Sequence, residues 1–133
     1  MTAAKPLRLR IGELAERTGH SVHTIRWYEA QGLLPTVPRQ GAHRVYSNRH
    51  VEWLDLMDHL RQSGMSVAEL RNYTALAQRG GATLEQTRAL LVAHQARVEA
   101  QIAQWQRARQ LIEEKIAFYT EWMAEGRRPP QRH

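Results

Sequence analysis

Between Thr83 and Ala124 the chain contains neither proline nor glycine, and no other stretch limits its folding choices so strongly. Such a run permits one unbroken helix, ~60 Å long at ~1.5 Å rise per residue. Thr83 and Gln86 have the spacing of a capping box at its start. Leu84, Leu91, Val98, Trp105, Ile112 and Tyr119 recur every seven residues and define d positions of a heptad, with Ile102, Ile116 and Met123 at matching a positions. A stripe of this length cannot be buried inside one small domain, so it calls for a partner helix, and a coiled-coil homodimer is expected. Burying a large apolar side chain gains ~1.5–3 kcal/mol, enough in sum to offset the several kcal/mol that association costs. Arg88, Gln95 and Arg109 occupy the other a positions. Either the ends of the stripe pack on the rest of the chain, or these polar residues specify register at some cost in stability.

The preceding residues contain a second constraint, a helical corner from Ile11 to Glu29. Ile11, Leu14 and Ala15 have helical spacing, Gly19 follows Thr18 where a helix C-terminus commonly takes a positive φ, and Ser21 stands as N-cap of a second helix. Val22 and Ile25 turn inward in that helix, which leaves Ser21, His23, Thr24, Arg26, Trp27 and Tyr28 for the remaining faces. These are side chains that touch phosphates and base edges. Helical corners also occur in proteins that never meet nucleic acid, so the surroundings decide.

Those surroundings are basic. Of the formal net charge of +6, most falls in residues 1–50, which hold eight Lys/Arg against three Glu. Leu7 to Arg10 alternates apolar with basic residues, as a short strand would. Gly32 and Pro35 end the second helix, and Leu33 and Leu34 are expected in the core. Val37 to Tyr46 is expected to form two short strands about Gly41, a wing with Arg39, His43, Arg44 and Tyr46 exposed. Ser47 offers the N-cap of a helix with Val51, Trp53, Leu54, Met57 and Leu60 inward, closed by Gly64. Ser66 and Glu69 form a capping box for the next helix, and Gly80-Gly81 breaks the chain. The expected organisation is therefore mainly α: a winged helix-turn-helix domain over residues 7–79, a coiled-coil dimerisation helix over 83–124 and a disordered basic tail over 125–133.

Several function classes are excluded or disfavoured. Cysteine is absent, so no disulfide, thiolate nucleophile or thiolate metal ligand exists. No run approaches the ~20 apolar residues that span a bilayer, no secretory signal is visible, and a cytoplasmic protein that does not bind membranes is expected. No catalytic constellation or Gly-rich phosphate loop appears, so an enzyme is not expected and neither is a cofactor. No two histidines have the i, i+4 spacing of a helical metal site, and no metal is expected. Trp53, Trp105 and Trp122 either pack or line a ligand pocket, packing being favoured for Trp105 by its place on the heptad seam.

Taken together, Ile11-Gly12-Glu13-Leu14-Ala15 with Thr18-Gly19, Thr24-Ile25-Arg26-Trp27-Tyr28-Glu29 with Gly32-Leu33-Leu34, Arg44-Val45-Tyr46 and Leu60-Arg61-Gln62-Ser63-Gly64-Met65-Ser66 resemble the mercury-resistance-regulator (MerR) family of bacterial transcription regulators. The resemblance covers about residues 9 to 77 closely and the coil in kind. It implies a dimer joined through an antiparallel coil, bound to a pseudo-palindrome in the spacer of a double-stranded promoter and distorting that spacer for RNA polymerase. It also implies that His23, Thr24, Arg26 and Tyr28 belong to the recognition helix, Arg39, Arg44 and Tyr46 to the wing, and Arg61 to a backbone-contacting helix pair. Trp27 replaces the more usual Tyr, and His43 stands where the wing often has Tyr.

The Leu60-to-Ser66 run looks most like an aldehyde- and electrophile-responsive branch, whose members often place a cysteine where this chain has His59. An effector, if one exists, must therefore bind non-covalently. Three alternatives remain open from sequence: a plain repressor without an inducer, an excisionase-like architectural DNA-binding protein, and a coiled-coil interaction protein with a basic head.

Overall fold

Local capping sets the first two helices. In the computed structural model, which describes residues 8–130, α1 (Ile11–Thr18) and α2 (Val22–Ala30) meet at the Gly19 corner. Gly19 has φ 74 and its N–H donates to the Ala15 carbonyl, while Ser21 Oγ accepts from the Thr24 N–H at 3.0 Å. Gly32 (φ 73) ends α2 in a Schellman arrangement, in which the Leu33 N–H donates to Tyr28 O and the Gly32 N–H to Glu29 O. The chain then turns under α2 with Leu33 and Leu34 buried.

The wing is a minimal hairpin, β1 (Arg39–Gln40) and β2 (His43–Arg44), antiparallel with Arg39 opposite Arg44 and Gln40 opposite His43. Gly41 (φ 62) opens its two-residue loop, the position where a type II′ turn requires positive φ. The strand expected before α1 reduces to one residue: Leu9 makes an isolated antiparallel bridge with Tyr46, and Leu7 lies outside the described residues.

α3 (Asn48–Gln62) and α4 (Val67–Gln78) complete the head. Ser66 and Glu69 cap α4 reciprocally, as their spacing predicts. At α3 the partner of Ser47 is His50, whose Nδ1 accepts from the Ser47 N–H at 3.0 Å. One core unites these elements through Leu14, Ile25, Tyr28, Leu33, Leu54, Met57 and Leu70, with Trp53 stacked on Tyr73 and donating its Nε1–H to Leu33 O at 2.7 Å.

The expected capping box at Thr83 is corrected. Residues Gly80–Thr83 form a 3₁₀ turn that buries Thr83, and its hydroxyl donates to the Leu76 carbonyl. α5 (Leu84–Glu125) follows. The chain divides after Leu91 into two compact units. In the first, Leu90 and Leu91 pack on the head core. The second carries a ring cluster of Phe118, Tyr119 and Trp122 near the end of α5. Glu125 completes the helix, Gly126 (φ 72) ends it, and the Arg128 guanidinium lies 5.6 Å from the Trp122 ring. Among the described residues no helix is long and apolar enough to cross a membrane.

Candidate nucleic-acid interface

Burial of Ile25 and Tyr28, three residues apart on α2, fixes which face the helix turns outward. Ser21, His23 and Arg26 are exposed on that face, and Thr24 and Trp27 flank it half-buried. The wing supplies exposed Arg39 and His43 and half-exposed Arg44. Between helix and wing runs a groove lined by Arg10, Arg26, Glu29, Arg39, His43 and Arg44, together with Ile11, Ala42 and Tyr46. Four arginines against one glutamate give this groove a field that attracts phosphate. The groove sets the cations of the helix and of the wing side by side, as contact with a duplex backbone requires.

Two expected surface aromatics are corrected. Tyr28 and Tyr46 are each 1% exposed and belong to the core. Their rings are too large and apolar to leave outside so small a head, and their hydroxyls find partners at the rim. Tyr28 Oη donates to Asp58 Oδ1 at 3.0 Å, and Tyr46 Oη donates to Glu29 Oε1 at 3.4 Å. Burial raises the pKa of both phenols above the ordinary tyrosine value, so both remain donors at neutral pH. Neither ring is free to lie against a sugar-phosphate backbone; each instead positions a neighbour.

A second depression, on the other side of α2, is lined by His20, Thr24, Tyr28, Asp58, Arg61 and Gln62. His20 Nε2 and Asp58 Oδ2 are 2.6 Å apart, tying the corner to α3. Arg61 lies over the Trp27 ring at 5.3 Å and reaches Tyr28 Oη at 3.5 Å, so this exposed cation is held in one orientation beside the recognition helix. Ser21 is used as a cap, its hydroxyl also donating to Thr24 Oγ1 at 2.9 Å.

The roles of Glu29, Asp58, Arg10 and His50, and the pairing of His20 with Asp58, have no counterpart in the sequence reading. Only His50 had a local signal, since it stands three residues after an N-cap serine; the others act across the fold. Among the described residues no group of three or more His, Asp or Glu could hold a metal ion.

On α5, the seam residues Leu84, Ile102, Trp105, Ile112, Ile116 and Tyr119 are exposed in the single chain, Trp105 to 66%, and Val98 is half-buried. Leu91, also on the seam, is half-buried and packs against the core of the first unit. Val92 and Leu111, off the heptad seam, are exposed as well.

Comparison with known proteins is consistent with this surface. A family model described as MerR HTH family regulatory protein matches residues 9–77, and one described as MerR, DNA binding matches residues 51–115. An HTH-type transcriptional regulator of Haemophilus influenzae, itself uncharacterized, is 34% identical over 113 residues, which is 84% of this chain and 84% of that protein. Among solved structures, HiNmlR, described as a MerR family regulator lacking the sensor domain and bound to promoter DNA, superposes with a TM-score of 0.78 at 31% identity, covering 91% of this chain and 97% of that one. A MerR family transcriptional regulator from Listeria monocytogenes gives a TM-score of 0.82 at 30% identity, covering 89% and 90%.

Proposed function

The chain belongs to the MerR family of helix-turn-helix transcriptional regulators, and we propose that it acts as a homodimer that grips the two halves of a pseudo-palindromic promoter site and strains the spacer between them. The observation that carries this is the cationic groove between α2 and the wing, where Arg10, Arg26, Arg39, His43 and Arg44 converge. His23 and Arg26 are the residues we assign to base edges, with Arg39, His43, Arg44 and Arg61 assigned to the backbone and Thr24 and Trp27 to its flanks. Tyr28 and Tyr46 serve by holding Asp58 and Glu29.

Dimerisation is assigned to residues 83–124. A row of exposed apolar residues at heptad spacing costs solubility in a lone chain and is covered by the same row of a second copy. Two joined heads can each occupy one half-site of the same duplex face. Contacts on both halves then offset the energy of deforming the spacer, on the order of 1–6 kcal/mol for a smooth bend, and the deformed spacer presents both promoter elements to RNA polymerase. With no cysteine in the chain, an effector would bind without thiol chemistry. A neighbour described as lacking the sensor domain and bound to promoter DNA supports promoter binding without an effector. A cytoplasmic location follows from this role.

Nuclease footprinting across the protein's own upstream region, with a salt series on the bound duplex, tests the proposal. Protection of two half-sites in a promoter spacer is expected, with affinity falling steeply as salt rises. Protection only at sites unrelated to a spacer would favour an architectural factor, and absence of salt-sensitive binding would leave a coiled-coil interaction protein.

A further inference from the structure

Glu29 is the one acid in a groove otherwise lined by cations and neutral residues. It stands in the last turn of α2, where the helix dipole disfavours an anion, and it faces a surface that should attract phosphate. Its carboxylate is nevertheless mostly covered, with 21% of the side chain exposed, and it pairs with Arg44 of the wing while accepting from Tyr46 Oη. The wing needs such a partner. A hairpin of two residues per strand is too short to hold itself, and its register sets Arg39 directly opposite Arg44, a like-charge pair that repels.

We infer that Glu29 is a positioning residue that determines specificity: by holding Arg44 and Tyr46 it locks the wing to the recognition helix and withholds part of Arg44's charge from indiscriminate phosphate binding. This rests on the promoter-binding reading above. Release of Arg44 adds a mobile cation to the surface, which strengthens attraction to any duplex, while the wing loses its fixed distance from α2. Affinity and selectivity therefore move in opposite directions when Glu29 loses its charge.

The test compares Glu29→Gln, Arg44→Gln and the double variant with the unaltered protein. Each binds a duplex from the protein's own upstream region and a scrambled duplex of equal composition. Hydrogen exchange of the wing amides is followed in parallel. For Glu29→Gln, affinity for scrambled DNA is expected to rise or hold, and the specific-to-scrambled ratio to fall about tenfold. Wing amides at residues 39–44 should exchange faster while α2 remains protected, and the double variant should have the same ratio as Arg44→Gln alone. Glu29→Asp, which keeps the charge but falls short of Arg44, should show the same loss of ratio if Glu29→Gln folds poorly. An unchanged ratio in folded Glu29→Gln, or effects that multiply in the double variant, would overturn the inference. Should the unaltered protein prefer no duplex, the promoter-binding reading fails on its own, and wing exchange in Glu29→Gln still decides whether Glu29 holds the hairpin.

Discussion

Replacing Ile112 by glutamate should split the dimer. Ile112 is 59% exposed in the single chain and sits at a d position between Trp105 and Tyr119. Full burial of an isoleucine gains ~1.5–3 kcal/mol, so covering the exposed part gains roughly 1–2 kcal/mol in each protomer and roughly 2–4 kcal/mol across a twofold interface. Ile112→Glu removes that gain and sets two carboxylates into or beside an apolar seam, which adds a desolvation cost. The dimer dissociation constant should rise by at least about 30-fold, and by about 1,000-fold at the upper figure. Sedimentation equilibrium over a concentration series measures it directly, with circular dichroism to establish that α5 remains helical. Gln104→Glu, an exposed polar position off the seam, should leave the constant unchanged. If Ile112→Glu sediments as the same dimer with the same constant, the heptad assignment is wrong and the exposed stripe has another purpose.

Other consequences can be checked independently. Arg26→Ala, which removes an exposed cation with no ion-pair partner among the described residues, should weaken duplex binding by roughly 1–3 kcal/mol if it reads a base, with loss of preference at that base by fluorescence anisotropy. Arg39→Ala should weaken specific and scrambled duplexes alike and reduce the salt slope by about one. Trp53→Phe strands the Leu33 carbonyl and should lower unfolding free energy by roughly 1–3 kcal/mol in urea titrations. His50 is 3% exposed, and its Nε2 is buried without a hydrogen-bond partner; burial lowers its pKa below the ordinary histidine value. The unfolded chain then takes up the proton first. Stability is full above about pH 6.5, the unfolded value, and declines as pH falls below it towards the folded pKa. His50→Asn, whose Oδ1 can take the place of Nδ1 in accepting from Ser47, should flatten that decline between pH 7 and 5.

Features fixed by neighbours in sequence are legible in the sequence itself. Gly19, Gly32 and Gly64 end helices because positive φ is cheap only for glycine, and Ser21 and the Ser66–Glu69 pair start them because their side chains reach backbone donors three residues away. The heptad stripe was equally plain, since its periodicity lies within one helix. Contacts between distant residues were not. Tyr28 and Tyr46 looked like surface aromatics because nothing near them in sequence shows that Asp58 and Glu29 wait for their hydroxyls. Arg44 looked like a free cation for the same reason. Thr83 had the right residue three places later for a capping box, but the Gly80–Thr83 turn carried its hydroxyl back to Leu76. Leu91 keeps the heptad spacing and also packs on the head core, a contact that its neighbours in sequence do not show.

The number of protomers on one duplex tests most directly whether paired heads share a single site. Sedimentation velocity of the protein mixed with its footprinted duplex, with absorbance recorded at protein and nucleic-acid wavelengths, should give two chains per duplex, with no one-chain complex at intermediate ratios. A stable complex of one chain per duplex, protecting a single half-site with undiminished affinity, would contradict it.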